Sequence, residues 1–180
     1  MNRRLDIQKT YKLYINGKFP RTESNRYFTI NDKDENFSAN ICQASRKDFR
    51  EAVKFARKAV CGWSSKTAFN RGQILYRIAE TLEGRREQFI KELITFGMSR
   101  KNAASEVETT IDRLVYYAGW TDKYQALFSS VNPVSTSHYN FSVPEYQGVI
   151  ALIAPDYNPL LGLVSLIVPA LVGGNTVVCL

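Results

Sequence analysis

Apolar residues recur at helical spacing through the middle of this chain and then, from Gly148 onward, run almost without interruption. Four stretches carry the helical period. In the first, Ser45-Arg46-Lys47-Asp48 has the form of a capping box, a hydroxyl N-cap with an acid three residues on. Phe49, Val53, Ala56 and Val60 then fall on one face, and Trp63 is placed to pack the end. Ile74, Leu75, Ile78, Ala79 and Leu82 mark a second helix over residues 68–83. Phe89, Ile90, Leu93 and Ile94 mark a third, ended by Gly97. Ala104, Val107, Ile111, Leu114, Val115 and Ala118 lie in a fourth, over residues 101–128. Stripes of this kind read as core.

The last stretch has a different pattern. Val149 to Ala154 is a short apolar run, as in a strand buried on both faces. A polar corner follows, Pro155-Asp156-Tyr157-Asn158-Pro159. It opens an apolar helix in which Asn158 takes the N-cap position and Pro159 the first helical one, where a missing N–H is harmless. Gly173-Gly174-Asn175 stops the helix after Val172, and Thr176 to Leu180 begins a second buried strand. Strand, crossover helix and strand make a βαβ unit. Ligands of such sheets bind outside the carboxyl ends of the strands, which puts residues 155–158 at the mouth of a site.

The rest is shorter. Lys12 to Phe19 predicts a hairpin around Asn16-Gly17, two residues that tolerate positive φ. Tyr27 to Ile30 is a short strand, residues 31–40 a polar loop, and residues 137–143 an extended strand. The expected organisation is a hairpin and strand region over 1–44 and a helical part over 45–128. An extended connection over 129–147 then leads to an incomplete first βαβ over 148–180.

Charge and composition exclude several classes. The net charge is +7, but all 24 Lys and Arg residues lie at or before Lys123 and alternate with acids. Mixed charges of this kind read as solvated helix faces, not a basic footprint, so no nucleic-acid partner is expected. The longest apolar piece, Leu160 to Val172, is short of the ~20 residues a bilayer needs and contains Pro169, so no membrane span is expected. Met1-Asn-Arg-Arg-Leu-Asp lacks a following apolar run, so no secretory signal is expected. Cys42, Cys61 and Cys179 are too scattered for a disulfide framework or a zinc site, and cytoplasm is the expected compartment. No metal-ligand cluster, Walker loop or G-x-G-x-x-G occurs. His138, the only histidine, has no ligating neighbour at metal spacing and reads as structural. Cys61 ends a helix and Cys179 lies in a buried strand, where a thiol stays protonated. Local polar chemistry rests on Asp156, Tyr157 and Asn158, whose side chains can orient a ligand, stabilise an oxyanion or simply cap the helix.

Tyr14-Ile-Asn-Gly-Lys18, Ala52-Val53, Ala56-Arg57 and Trp63 come in that order. Arg71-Gly72, Ile74-Leu75, Ile78-Ala79, Leu82-Glu83, Glu106-Val107 and Tyr116-Tyr117-Ala118-Gly119-Trp120 follow, with Asp122-Lys123. The series ends with Gly148-Val149 through Pro155, then Pro159-Leu160, Pro169-Ala170 and Gly174-Asn175-Thr176-Val177-Val178. In order and spacing this resembles the amino-terminal part of the aldehyde dehydrogenase superfamily. The resemblance implies an α/β fold with a Rossmann-type NAD(P)-binding sheet, a separate catalytic domain and an oligomerisation hairpin, hence a homo-oligomer. It implies oxidation of an aldehyde through a thiohemiacetal on a cysteine, with hydride passing to NAD or NADP and an acid activating water. That cysteine and acid lie beyond Leu180, so a truncated chain is expected and these residues alone are expected to be inactive. Ile153 and Pro155 match cofactor-lining positions, joined by Asp156 and Tyr157.

Two features depart from the family, the corner and the position of Leu180. Its corner usually reads Pro-Trp-Asn-Phe-Pro, the Asn helping to hold the oxyanion; here Asp156 replaces Trp, Tyr157 replaces Asn, and Asn158 is one place off. The family also places a ribose-contacting Lys where this chain has Leu180. A non-catalytic family member, kept for binding or oligomerisation, is therefore the alternative expectation.

Overall fold

The structure, a computed structural model, describes residues 9–31 and 37–180. Strand β1 (Thr10–Tyr11) leads to the Asn16-Gly17 turn, where both residues have positive φ (54° and 70°) and Ile15 and Lys18 exchange backbone hydrogen bonds of 3.0 and 3.1 Å. These are the dihedrals a two-residue hairpin turn demands. Beyond that bridge the arms share one further backbone hydrogen bond, from Leu13 N–H to Pro20 O at 3.1 Å.

Strands β2 (Tyr27–Asn31) and β3 (Phe37–Cys42) complete a sheet of order β1-β3-β2, with β1 parallel and β2 antiparallel to β3. The loop expected over 31–40 is thus corrected at Asn31 and from Phe37 on, while residues 32–36 lie outside the described residues. Cross-strand pairing of Ile30 with Ala39 and Phe28 with Ile41 overrides the polar local composition.

Helix α1 (Arg46–Ser64) starts on the expected capping box. Ser45 Oγ accepts from the N–H groups of Lys47 and Asp48 at 3.2 and 3.3 Å, and the Asp48 carboxylate accepts from Ser45 N–H at 2.8 Å. The Thr22 hydroxyl donates to the same carboxylate at 2.6 Å, tying the preceding segment to the helix. None of the expected α1 core stripe is buried, and Phe49 is 44% exposed. The helix lies along a sheet of only two strands, too narrow to cover a whole helical face.

Helices α2 (Ala68–Gly84), α3 (Arg86–Thr95) and α4 (Arg100–Ala118) form the helical layer. Leu75, Ala79, Leu82, Leu114 and Ala118 pack with Val168 and Val172, while Ile90 and Leu93 pack with Ala103 and Val107. Ile78 and Val115, expected in the core, sit at its exposed rim. Arg71 is buried with no carboxylate partner among the described residues: its Nη1 donates to the carbonyls of Ser64 and Lys66, at the negative end of α1.

The long fourth helix is also corrected, because it ends at Ala118. Thr121 turns back so that its hydroxyl donates to the Ala118 carbonyl at 2.9 Å, seated against Gly72 of α2. A short helix α5 (Tyr124–Phe128) follows, then strands β4 (Ser130–Asn132) and β5 (Asn140–Ser142), paired antiparallel. The strand expected over 137–143 is therefore only its centre.

Strand β6 (Val149–Leu152), helix α6 (Pro159–Val172) and strand β7 (Thr176–Cys179) are the expected βαβ unit, with Val149 opposite Thr176 and Leu152 opposite Cys179 in a parallel pair. Pairing extends past the named strands: Ala154 N–H donates to Leu180 O at 2.7 Å and Leu180 N–H to Leu152 O at 3.0 Å. The strands are half-buried, not buried on both faces, and Ala151 is exposed. Asn175 locks the unit. Its Oδ1 accepts from the N–H groups of Gln147 and Gly148 at 2.7 and 2.9 Å, and its Nδ2 donates to Ala170 O at 3.1 Å. Across the sheet, Thr176 donates to Ala56 O, and Trp63 Nε1 reaches Leu171 O, both at 3.0 Å. Among the described residues no helix is long and apolar enough to cross a membrane.

Candidate functional site

The corner between β6 and α6 faces outward. Ile153 is 80% exposed and Tyr157 76% exposed, with Asp156 and Asn158 exposed beside them. Pro155 is half-buried and turns its ring onto the second turn of α6. A Cβ built on Gly162 would lie 2.4 Å from Pro155 Cγ, so the absence of a side chain there is what allows this approach. Among the described residues, the side chains of Asp156, Tyr157 and Asn158 make no hydrogen bond. They are free to meet a ligand.

Asn158 stands at the N-cap of α6 as expected, but its side chain does not cap. Its backbone is left-handed, φ 46° and ψ 61°, and its carbonyl accepts from Gly162 N–H at 2.7 Å. The orphan donors of the first turn go elsewhere. Oε1 of Glu106, on α4, accepts from the N–H groups of Leu160 and Leu161 at 2.9 and 3.2 Å. Glu106 is 6% exposed and, among the described residues, its Oε2 has no partner. A buried carboxylate is thus compensated by a helix N-terminus, whose partial positive charge suits it. The same contact fills the place where a βαβ helix would otherwise receive a phosphate. Any phosphate held nearby needs other donors, and residues 148–180 contain no Lys or Arg.

Glu106 did not stand out in the sequence as a site residue. Its signal was there: Ala103, Glu106, Val107, Thr110 and Leu114 share the inward face of α4, and an acid in such a stripe needs a buried partner.

The remaining candidates are separate from the corner. Burial pushes the Cys179 thiol up, a hydrogen bond involving the Ala154 backbone opposing this weakly, so it is held protonated rather than as a nucleophile. Cys42 is buried and Cys61 exposed. His138 Nδ1 shares a hydrogen bond of 2.8 Å with the Thr136 hydroxyl in the β4–β5 connection. Among the described residues, no group of three or more His, Cys, Asp and Glu is placed to hold a metal ion. An open cleft of about 500 Å³ lies between α2 and the end of α4, lined by Tyr76, Val115 and Lys123 among others, and does not reach the corner.

A parallel βαβ unit backed by a helical layer, with an exposed corner at the carboxyl end of its first strand, defines an α/β protein. Within that class the chain belongs to the aldehyde dehydrogenase family, whose model matches residues 19–179. It is 32% identical over 181 residues to aldehyde dehydrogenase, cytosolic 1, of Elephantulus edwardii, covering 97% of this chain and 35% of that protein. It is 29% identical over 178 residues to mitochondrial 10-formyltetrahydrofolate dehydrogenase of Homo sapiens, covering 96% of this chain and 19% of that one. Among solved structures, the NAD+ complex of an aldehyde dehydrogenase from Bacillus cereus superposes with a TM-score of 0.89 at 28% identity, over 95% of this chain and 35% of that chain. The chain thus spans about a third or less of the length of these relatives.

Proposed function

We propose that the protein is an NAD(P)-dependent oxidoreductase that oxidises an aldehyde to its carboxylate, and that residues 148–180 begin its dinucleotide-binding sheet. The observation that carries this reading is the exposed, unengaged corner at the end of β6, in a chain of this family. Family membership and the likeness to an NAD+ complex support it. When bound, the nicotinamide accepts the hydride lost by the aldehyde carbon. This chain's residues bind and orient. Ile153 and Pro155 offer apolar surface to a flat ring, Asp156 accepts from a ribose hydroxyl, and Tyr157 or Asn158 donates to the developing oxyanion, a contact whose loss can slow such reactions ~100-fold.

The nucleophilic cysteine and the acid that activates water are supplied by residues outside this segment. Residues 1–44, 45–128 and 129–147 serve as entry sheet, helical layer and connection. The exposed Val131, Tyr139, Phe141 and Val143 of the β4–β5 pair suit a contact between copies in a cytoplasmic homo-oligomer.

A second reading, a family member kept for binding rather than catalysis, is favoured by Asp156, Tyr157 and Leu180 standing where the family places other residues. The protein as isolated from its source decides between them. Aldehyde-dependent reduction of NAD or NADP supports the enzyme; dinucleotide binding without reduction of either supports the binding protein. Absence of both contradicts the two readings together.

A further inference from the structure

We propose that Glu106 is a positioning residue for the cofactor corner, holding the first turn of α6 from outside so that residues 155–158 keep their outward geometry. The proposal rests on the reading of that corner as the dinucleotide contact. Three observations lead to it.

The helix already has a side chain of the right type in the right place for a local cap. Asn is among the best N-cap residues, yet Asn158 leaves the first-turn donors alone and adopts a left-handed backbone. The capping is done instead by a carboxylate 54 and 55 positions earlier in the chain. Asn158 is thereby released to stand in the exposed corner with Asp156 and Tyr157.

Glu106 is also held in place for this contact alone. Among the described residues it has no cationic partner, and its second oxygen has no hydrogen bond. Burying a carboxylate this deeply is unfavourable unless strong donors meet it. The two α6 N–H groups are the donors it has.

The anchor is rigid. Glu106 lies on α4, which packs against α2, α3 and α6, so the start of α6 is fixed relative to the whole helical layer. At the other end of the corner, Pro155 is wedged on Gly162. Between these two fixings lie four exposed residues, Asp156 to Pro159.

The test is Glu106→Gln in the whole protein, with amide hydrogen exchange over residues 153–162 read without cofactor and NAD+ affinity read separately. Gln keeps the size and one acceptor but loses the charge. Exchange at Leu160 and Leu161 is expected to rise by about tenfold, the scale of one lost charge-assisted hydrogen bond. The Kd for NAD+ is expected to rise by a similar factor, with the aldehyde KM unchanged. Glu106→Asp keeps the charge but loses the reach of one methylene. It is expected to behave alike, and it carries the same comparison if the Gln variant does not fold. A variant that loses thermal stability while corner exchange and NAD+ affinity stay at wild-type values would overturn the proposal, leaving Glu106 a structural residue only. If the wild type binds no dinucleotide, the functional reading fails; the exchange comparison still supports or overturns the grip of Glu106 on the corner.

Discussion

Asn158 and Glu106 divide between them what one side chain usually does at a helix start. Read locally, Asn before Pro at the head of an apolar run is a cap, and the position was right. The partner was not legible, because the donor–acceptor pairing spans two helices and depends on which face of α4 turns inward. Gly162 was equally silent in the sequence. In a helix interior, Gly→Ala ordinarily gains about 1 kcal/mol in propensity. Here the added Cβ would meet the Pro155 ring at 2.4 Å, and a ring cannot swing aside as a flexible side chain does. Overpacking of this kind costs about 1–3 kcal/mol, so Gly162→Ala is expected to lower thermal stability despite its helix preference and to displace the corner. A rise in Tm with NAD+ affinity intact would show that the Pro155–Gly162 contact is not needed.

Asp48 is the residue with a pH signature. Burial pushes its carboxyl up, but hydrogen bonds from the Thr22 hydroxyl, the backbone N–H groups of Ser45 and Glu23 and the Ser45 side chain outweigh it and hold the group below its ordinary value. A carboxylate depressed on folding adds stability that is fully present above its unfolded value of about 3.9 and is lost as pH falls through the folded value. The stability difference between wild type and Asp48→Asn is therefore expected to be constant near neutrality and to shrink below about pH 4. Paired denaturation curves across that range check it. A difference that grows with acid would reverse the assignment.

At the scale of elements, helix starts are legible in the sequence and strand burial is not, for one reason. A capping box such as Ser45–Asp48 is written within four residues, whereas burial depends on what covers a face. Alternation and apolar runs cannot report that cover. The stripe of α1 and the strands β6 and β7 were expected in the core and are half-open, because the paired strands are only two wide among the described residues. The fourth helix was overextended because Tyr116 to Phe128 keeps an apolar rhythm. The break depends on Thr121 finding Gly72 of another helix. The βαβ unit itself was legible, since its strand lengths, Pro159 and the Gly173-Gly174-Asn175 stop are all local. Asn175 is its fastening. Removing the side chain leaves two N–H groups without their partner, each worth about 0.5–1.5 kcal/mol net, while the Ala170 carbonyl keeps the Asn175 backbone N–H at 3.1 Å. Asn175→Ala is expected to cost about 1–3 kcal/mol in urea unfolding and to speed exchange at Gly148. Unchanged exchange there would mean that the clamp is not what seats β6.

For the whole molecule, family and fold could be read from the order and spacing of many weak motifs, none of them decisive alone. The site was less legible, because Pro155 and Pro159 keep the frame of the corner while its exposed residues differ from the family's usual ones. Geometry adds what motifs could not. Among the described residues the side chains of Asp156, Tyr157 and Asn158 make no hydrogen bond, the helix after them packs on α4, and a carboxylate occupies two of its first-turn N–H groups. The proposed binding at this place would then draw on ring contacts at Ile153 and Pro155 and on the polar side chains that follow. The most direct test is a calorimetric titration of NAD+ into the whole protein and into its Ile153→Asp variant. Ile153 is so exposed that the change should leave the fold intact. A charge placed against a bound ring is expected to weaken binding by at least about tenfold. Equal affinity in the two proteins would contradict the placement of the dinucleotide at this corner.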